Sequence, residues 1–497
     1  MQPATSTRRP LFAGLFRHAR RLTSDGGKLS PTGRRRRTGS DPRAVVLSTL
    51  PAELWIKVFE HIPNYLLLSV TLTCRAFRAL AQPLLFASIS THPEERKPSP
   101  GVLRVAGQTA RYRKRVNERT AFFFSPQICH AVRVCRISLP LPEDECDGDD
   151  LVDHIFAMLP HLPNLRALEC RHIRLTPLRL HVLRRLELPT MSFDLCFGNM
   201  ADLAGMPSMP LREVTFKYSD ASIAGQASPC PVFLSPDHLE TLHATTTRVL
   251  DSLASSRVPF TRLRTLELPG ECLASRHFIA ALARCPEVEN IALHATDYLP
   301  QANFTLPDGV LPHLRSYRGP HHFAAAFLRH RTAEKLEVSV PCRPASLESS
   351  LAKLYGQHDS LSGASNTLRS LSFPLTSADI PAPLLGTIHV AFPMLSALAI
   401  PDPALSSSEI KALLNAVPAH YALTDLTLRI QGRDKFNLWI PPAEAAADAA
   451  SCFGKVRLSL VKTYPSIRHV RFLYGSEGAS LHWERSQTSG LFVQVGQ

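Results

Sequence analysis

The side chains that could do chemistry in this chain are numerous but dispersed. There are 21 histidines and eleven cysteines, enough for metal ligation, nucleophilic attack or disulfide bonding if spacing brought them together. The densest imidazole pair, His321-His322, stands between Pro320 and Phe323 without a neighbouring cysteine or carboxylate, a loop composition rather than a metal-ligand spacing. No two cysteines have the C-x-x-C spacing and their number is odd. Neither a zinc knuckle nor a disulfide framework is suggested, and reduced, mostly buried thiols of an intracellular protein are expected. The acidic run Glu143-Asp144-Glu145-Cys146-Asp147-Gly148-Asp149-Asp150 lacks the ligand positions of a calcium loop and reads as a solvated loop. No nucleophile elbow, H-E-x-x-H helix, phosphate-cradling glycine loop or dinucleotide fingerprint occurs. The chain is therefore expected to be no enzyme and to need no cofactor or metal; its function must lie in its surfaces.

Composition narrows the kind of surface. With 44% apolar and 20% charged residues among 497, the chain can bury large cores, enough for roughly three domains. Its longest apolar stretches, Tyr65 to Val70 and Phe323 to Leu328, are far shorter than the roughly 20 residues a membrane helix needs, so no membrane partner is expected. The net charge of +14 is concentrated at one end: residues 1–43 hold eleven basic and two acidic side chains. The remainder shows no basic stripe, and Tyr112 alone is too little aromatic interleaving among Arg111, Arg113, Lys114 and Arg115 for a nucleic-acid platform. Within the tail, Arg34-Arg35-Arg36-Arg37 has the form of a nuclear import signal. Upstream, Leu11, Leu15, Ala19 and Leu22 share a helical face beside Arg17, Arg20 and Arg21, the form of a mitochondrial presequence. A merely solvated tail is the third reading. Nucleus or cytoplasm is the expected location ahead of the mitochondrion.

Residues 46–91 carry the most specific pattern. Leu50-Pro51-Ala52-Glu53-Leu54 opens a helix, because proline suits the first turn and Glu53 the positive end of the helix dipole. Leu54, Val58 and Ile62 recur along it, Pro63-Asn64 ends it, and an apolar run from Tyr65 to Thr73 precedes a third helix over Arg75 to Leu84. Three short helices cannot cover this much apolar surface alone. The L-P-x-E-L start, the aliphatic residues at Val58 and Ile62, the Leu-rich second run and the Cys74-Arg75-x-Phe77 start of the third helix resemble the F-box family, in a fungal-type form. Leu66 in place of a frequent acid and Phe77 in place of Trp depart mildly. The resemblance implies docking on the adaptor subunit of an SCF-type cullin–RING ubiquitin ligase, and through it on the cullin, by Leu50, Pro51, Leu54, Val58, Ile62, Leu67 and Leu72.

After a connector over residues 92–125, the pattern apolar-x-x-apolar-x-apolar recurs thirteen times from Val134 to Phe472, with a mean period of about 28 residues. The triplet alone arises often by chance in so apolar a chain. Proline gives independent register. Pro163, Pro286, Pro312, Pro393 and Pro465 stand two positions before the first apolar residue, where a helix must stop, and Pro140, Pro189, Pro269, Pro374 and Pro401 follow the triplet, where a strand must end. Helix, proline, short strand resembles an irregular leucine-rich repeat, which sets the expected fold class: a small three-helix F-box followed by an α/β solenoid, parallel sheet inside and helices outside, over 126–475. A hairpin is expected over 476–497. Side chains between the apolar positions should project from the concave sheet: Arg171, Glu187, Lys217, His243, Glu267, His294, Glu337, Asp425, Arg429 and Arg471. This mixture suits an unidentified protein target better than a phosphate backbone. The expected function is substrate recognition for a ubiquitin ligase, with a non-degradative scaffold or nuclear regulatory protein as the alternative.

Overall fold

The computed structural model describes residues 50–91, 117–138, 148–198, 207–218, 230–294, 305–329, 331–355, 367–377, 380–416, 422–430, 464–474, 479–488 and 490–495, with scattered positions at 114 and between 447 and 461. The basic tail with Arg34 to Arg37, most of the connector and most of the acidic run lie outside these. Contacts divide the chain into two units, Met1–Pro63 and Asn64–Gln497.

The first unit contributes α1 (Ala52–Glu60), which starts after Pro51, whose carbonyl accepts from the Leu54 and Trp55 N–H groups. Glu53 lies in its first turn and Lys57 in its last, where each suits the dipole. The second unit begins with α2 (Asn64–Thr71) and α3 (Arg75–Leu85). Cys74 caps α3: its Sγ accepts from the Phe77 N–H at 3.4 Å. Only Phe86 and Ala87 separate α3 from the first strand.

One sheet of sixteen strands runs in sequence order. Its members are β1 (Ser88–Thr91), β2 (Val134–Ser138), β3 (Ala167–Arg171), β4 (Thr190–Asp194), β5 (Glu213–Lys217), β6 (Thr241–Ala244), β7 (Thr265–Pro269) and β8 (Asn290–His294). Then follow β9 (Ser316–Gly319), β10 (Lys335–Val338), β11 (Ser370–Ser372), β12 (Ala397–Leu405), β13 (Asp425–Ile430), β14 (His469–Tyr474), β15 (Ala479–Arg485) and β16 (Phe492–Gln494). Pairing is parallel from β1 to β14 and antiparallel across β14, β15 and β16. Helices such as Phe278–Ala283, Pro344–Tyr355 and Ala382–Ala391 connect successive parallel strands, giving a solenoid-like α/β arrangement.

The period-2 alternation sends one row inward. Cys135, Leu168, Met191, Val214, Leu242, Leu266, Ile291, Tyr317, Leu336, Leu371, Leu398, Leu426 and Val470 are register partners in turn and all are buried. The five prolines ahead of strands occupy one recurring β-turn. The carbonyl just before each proline accepts from the N–H three residues on: Leu165 to Leu162, Val288 to Cys285, Leu314 to Leu311, Leu395 to Phe392 and Ile467 to Tyr464. Proline at the second turn position pre-sets the required φ.

Two strand expectations need correction. The triplet Leu183/Leu186/Leu188 is not a strand, because Leu183 belongs to the helix Pro177–Arg185 and the strand is β4, whose register residues are Leu188, Met191 and Phe193. Pro189 therefore precedes its strand instead of following it. Pro401 lies within β12, where the register shifts between Ile400 and Leu405, rather than ending it. The last residues of the acidic run enter the helix Gly148–Met158 rather than a loop.

Where β9 lacks a third apolar residue, the structure gives the reason. A Cβ on Gly319 would stand 2.5 Å from the Tyr317 hydroxyl and 3.2 Å from Leu293 Cβ. Tyr317 is buried, donates to the Pro320 carbonyl at 3.0 Å and stacks on Phe327 with centroids 5.0 Å apart, so it has nowhere to go. Gly319→Ala is expected to cost about 1–3 kcal/mol by overpacking, read as a lower urea midpoint. Adding Tyr317→Phe, which removes the nearest clashing atom, should recover part of that loss.

Candidate functional site

Exposed apolar side chains are informative only when they cluster. Of the sixteen exposed large apolar residues among those described, seven fall between Leu50 and Leu72. On the first unit they are Leu50, Leu54 and Val58, spaced by four and so aligned along one stripe at and beyond the start of α1. Leu54 is 50% exposed and Val58 48%. The opposite face of α1 buries Phe59, with the Trp55 ring 5.8 Å away. Pro51 is exposed, Ile62 is half-buried, and an exposed Lys57–Glu60 pair at 2.9 Å flanks the stripe.

On the second unit the exposed residues are Tyr65, Leu66, Leu68 and Leu72, the last 67% exposed. Leu67, expected at a contact surface, is 2% exposed. It shares with Thr71, four residues on, the buried face of α2, and Leu66 and Leu68 beside it are exposed. The chain direction after α2 is fixed by Arg78, whose Nε donates to the Thr71 carbonyl at 3.0 Å.

The outward face of the sheet holds most of the other expected residues, and it is laced with opposite charges on neighbouring strands. Arg171 pairs with Asp194 at 3.1 Å, and Lys217 stands opposite Asp194 in the register. Glu267 accepts from His243 Nδ1 at 2.7 Å and lies 3.3 Å from His294 Nε2. Burial opposes its ionisation, yet the hydrogen bonds and charge of the two histidines outweigh burial and hold its carboxyl below the usual value. Glu337 lies between Arg318 at 3.1 Å and Lys335 at 3.2 Å. Arg429 donates to the Pro401 carbonyl and pairs with Asp402. Arg471 is exposed beside Thr427, and Asp425 starts β13. Glu187 is not on this face: it lies in the turn before β4, with a positive φ of 47°, because the strand it was assigned to begins later.

A charge row that spacing did not reveal runs along the strand-start edge. The residue immediately before each strand joins the ladder, as when Glu240 N–H donates to the Arg212 carbonyl and Arg264 N–H to that of Glu240. From β5 to β11 this position reads Arg212, Glu240, Arg264, Glu289, Arg315, Glu334, Arg369. Alternating signs directly opposite one another favour this register, each exposed pair by a few tenths of a kcal/mol at most about 1. Arg264 to Glu289, at 3.3 Å, is the closest such contact.

The described cysteines are free, and burial pushes the thiols of Cys135, Cys196 and Cys285 up to about 12, which leaves them unionised and poor nucleophiles at neutral pH. Burial, and then the charge of His322, pulls His321 down to about 4, and its ring bonds Ser346 Oγ at 2.8 Å. Among the described residues no group of three histidine, cysteine or acidic side chains is placed to hold a metal ion, and no helix is long and apolar enough to cross a membrane.

A family model described as F-box-like matches residues 47–92, and the chain carries an F-box-like domain there. Among solved structures, an uncharacterised protein from Bacteroides fragilis is similar at 13% identity and a TM-score of 0.28, over 63% of this chain and 71% of its own. The curated proteins give no match.

Proposed function

We propose that the chain is the substrate-recognition subunit of an SCF-type ubiquitin ligase, non-catalytic itself, with the F-box-like domain held by the adaptor and the sheet presenting a protein target. An F-box-like domain supports a role in protein–protein interaction. The observation that carries the reading further is the stripe of exposed Leu50, Leu54 and Val58 along α1: exposed apolar side chains clustered in this way mark an interaction surface. The chemistry of ubiquitin transfer belongs to other subunits, and this chain supplies proximity and orientation. Arg34 to Arg37 would then direct the protein to the nucleus, with the cytoplasm as the remaining site of action.

Purification of the full chain from cells tests the reading. A receptor brings down both adaptor and cullin in stoichiometric amounts. Adaptor without cullin assigns the protein to non-degradative scaffolds, and neither partner removes the ligase reading altogether.

A further inference from the structure

Among the described residues the sheet ends at β16: β15 pairs with one side of it and no strand pairs with the other. The ladder to β15 extends past both ends of the strand, since the Leu491 carbonyl accepts from the Ser486 N–H at 2.8 Å and the Val495 N–H donates to the His482 carbonyl at 3.0 Å. Leu491, Val493 and Val495 thus turn their backbone groups to β15, and alternation leaves the N–H and C=O of Phe492 and Gln494 on the unpaired side. Side chains follow the same register. Val493 stands opposite the exposed Glu484, whereas Phe492 and Gln494 share the other face with Arg485 and the buried Trp483. Leu491, Val493 and Val495 therefore line the outward face, 52%, 55% and 42% exposed. Natural sheets blunt such an edge with charge or proline. The opposite edge, β1, is followed by Pro93-Glu94-Glu95-Arg96-Lys97-Pro98, but residues 486–495 contain neither.

We propose that β16 pairs antiparallel with β16 of a second copy of this chain, about a two-fold axis at Val493. In that register Phe492 and Gln494 of one copy lie opposite Gln494 and Phe492 of the other, so every N–H and C=O on the unpaired side finds a partner. On the outward face Val493 meets its own copy, and Leu491 meets Val495 on either side of the axis. These are non-hydrogen-bonded positions, where opposing side chains lie closest and apolar pairs gain most. Charge also favours a second copy. The strand brings no charge to its twin, and the first charged outward side chain, Glu484, would face its own copy across three strand spacings, roughly 14 Å, beyond a screening length of about 8 Å. A two-fold pairing closes on itself, whereas a foreign strand would bring a second open edge of its own. Both Val493 side chains then stand on one side of the joined sheet, so the two outward faces become one surface. The proposal is independent of the adaptor.

Sedimentation equilibrium of the full chain tests it, with twice the chain mass expected at high concentration and the chain mass on dilution. Val493→Lys sets two ammonium groups against each other at the axis and should raise the dissociation constant about a hundredfold, as should Val493→Glu with two carboxylates. Because Val493 faces solvent in the single copy, both variants should match the parent in a urea melt run where the parent is monomeric. Mixing the two variants should restore pairing, since opposite charges then meet across the axis. A single-copy mass at every concentration, the result if another segment of this chain covers β16, overturns the proposal. So does a dimer that either substitution leaves intact, or a pair of variants that fails to associate when mixed.

Discussion

Replacing Leu54 and Val58 together by alanine is expected to weaken adaptor binding about thirtyfold, a loss of about 2 kcal/mol or more. Both side chains lie on one stripe of α1 and are about half exposed in the free chain. The methyl groups that the substitutions remove therefore contribute little to folding and much to any surface that covers them. The same exposure predicts that the double variant melts close to the parent, within about 1 kcal/mol, which separates loss of contact from loss of fold. A titration calorimeter with purified adaptor reads the affinity. Unaltered affinity in a correctly folded variant would remove α1 from the contact. Phe59→Ala should behave in the opposite way, unfolding before it affects binding, because Phe59 is buried.

The largest effect on stability is expected at Arg331. Its side chain is 4% exposed and its guanidinium donates to six carbonyls. Nε reaches Leu311; Nη1 reaches Ala326, Phe327 and Arg329; Nη2 reaches Pro307 at 3.3 Å and Val310 at 2.7 Å. These carbonyls belong to the turn before β9 and to the end of the helix Ala324–Leu328, so one planar fork ties the entry of one strand to the entry of the next. Methionine would fill the space and strand the carbonyls, at about 1–3 kcal/mol for each left unsatisfied and out of water. Arg331→Met is expected to cost about 3 kcal/mol or more in a urea melt. Arg331→Lys should restore little of it, because an ammonium has three donors and no planar fork. A melt within 1 kcal/mol of the parent for Arg331→Met would mean that water reaches these carbonyls in the native state.

What could be read in advance followed the residues whose constraint is local. Pro51 and Pro63 mark the edges of α1, and the proline two positions before a strand marks one β-turn five times over, because a ring that fixes φ and lacks an N–H acts on its own neighbours. Strand β1 escaped notice since its sequence, Ser88-Ile89-Ser90-Thr91, offers a single large apolar residue; it is recognisable only through its pairing with β2. Leu183, Leu186 and Leu188 satisfied a strand pattern while belonging to a helix end and a turn, an ambiguity that short apolar runs carry by themselves.

The sites divide in the same way. Leu54 and Val58 could be placed on a helix face from spacing, but whether Leu67 or its neighbours face outward depends on which side of α2 meets the rest of its unit. The alternation from Arg212 to Arg369 joins residues some 20 to 35 positions apart, so it becomes visible only when the ladder sets them side by side. Arg331 looks like any other of the chain's arginines until the six carbonyls around it are seen. Gly319 likewise gains its meaning only from the tyrosine two residues earlier, whose hydroxyl occupies the place a Cβ would need.

The central claim is that the exposed apolar stripe of Leu50, Leu54 and Val58 along α1 docks on an adaptor, and amide hydrogen exchange on the full chain with and without purified SCF adaptor tests it most directly. Added adaptor is expected to slow exchange in α1 and α2 and to leave β2 to β13 unchanged. Exchange in α1 and α2 that does not respond to saturating adaptor, or protection that falls on the sheet instead, would contradict it.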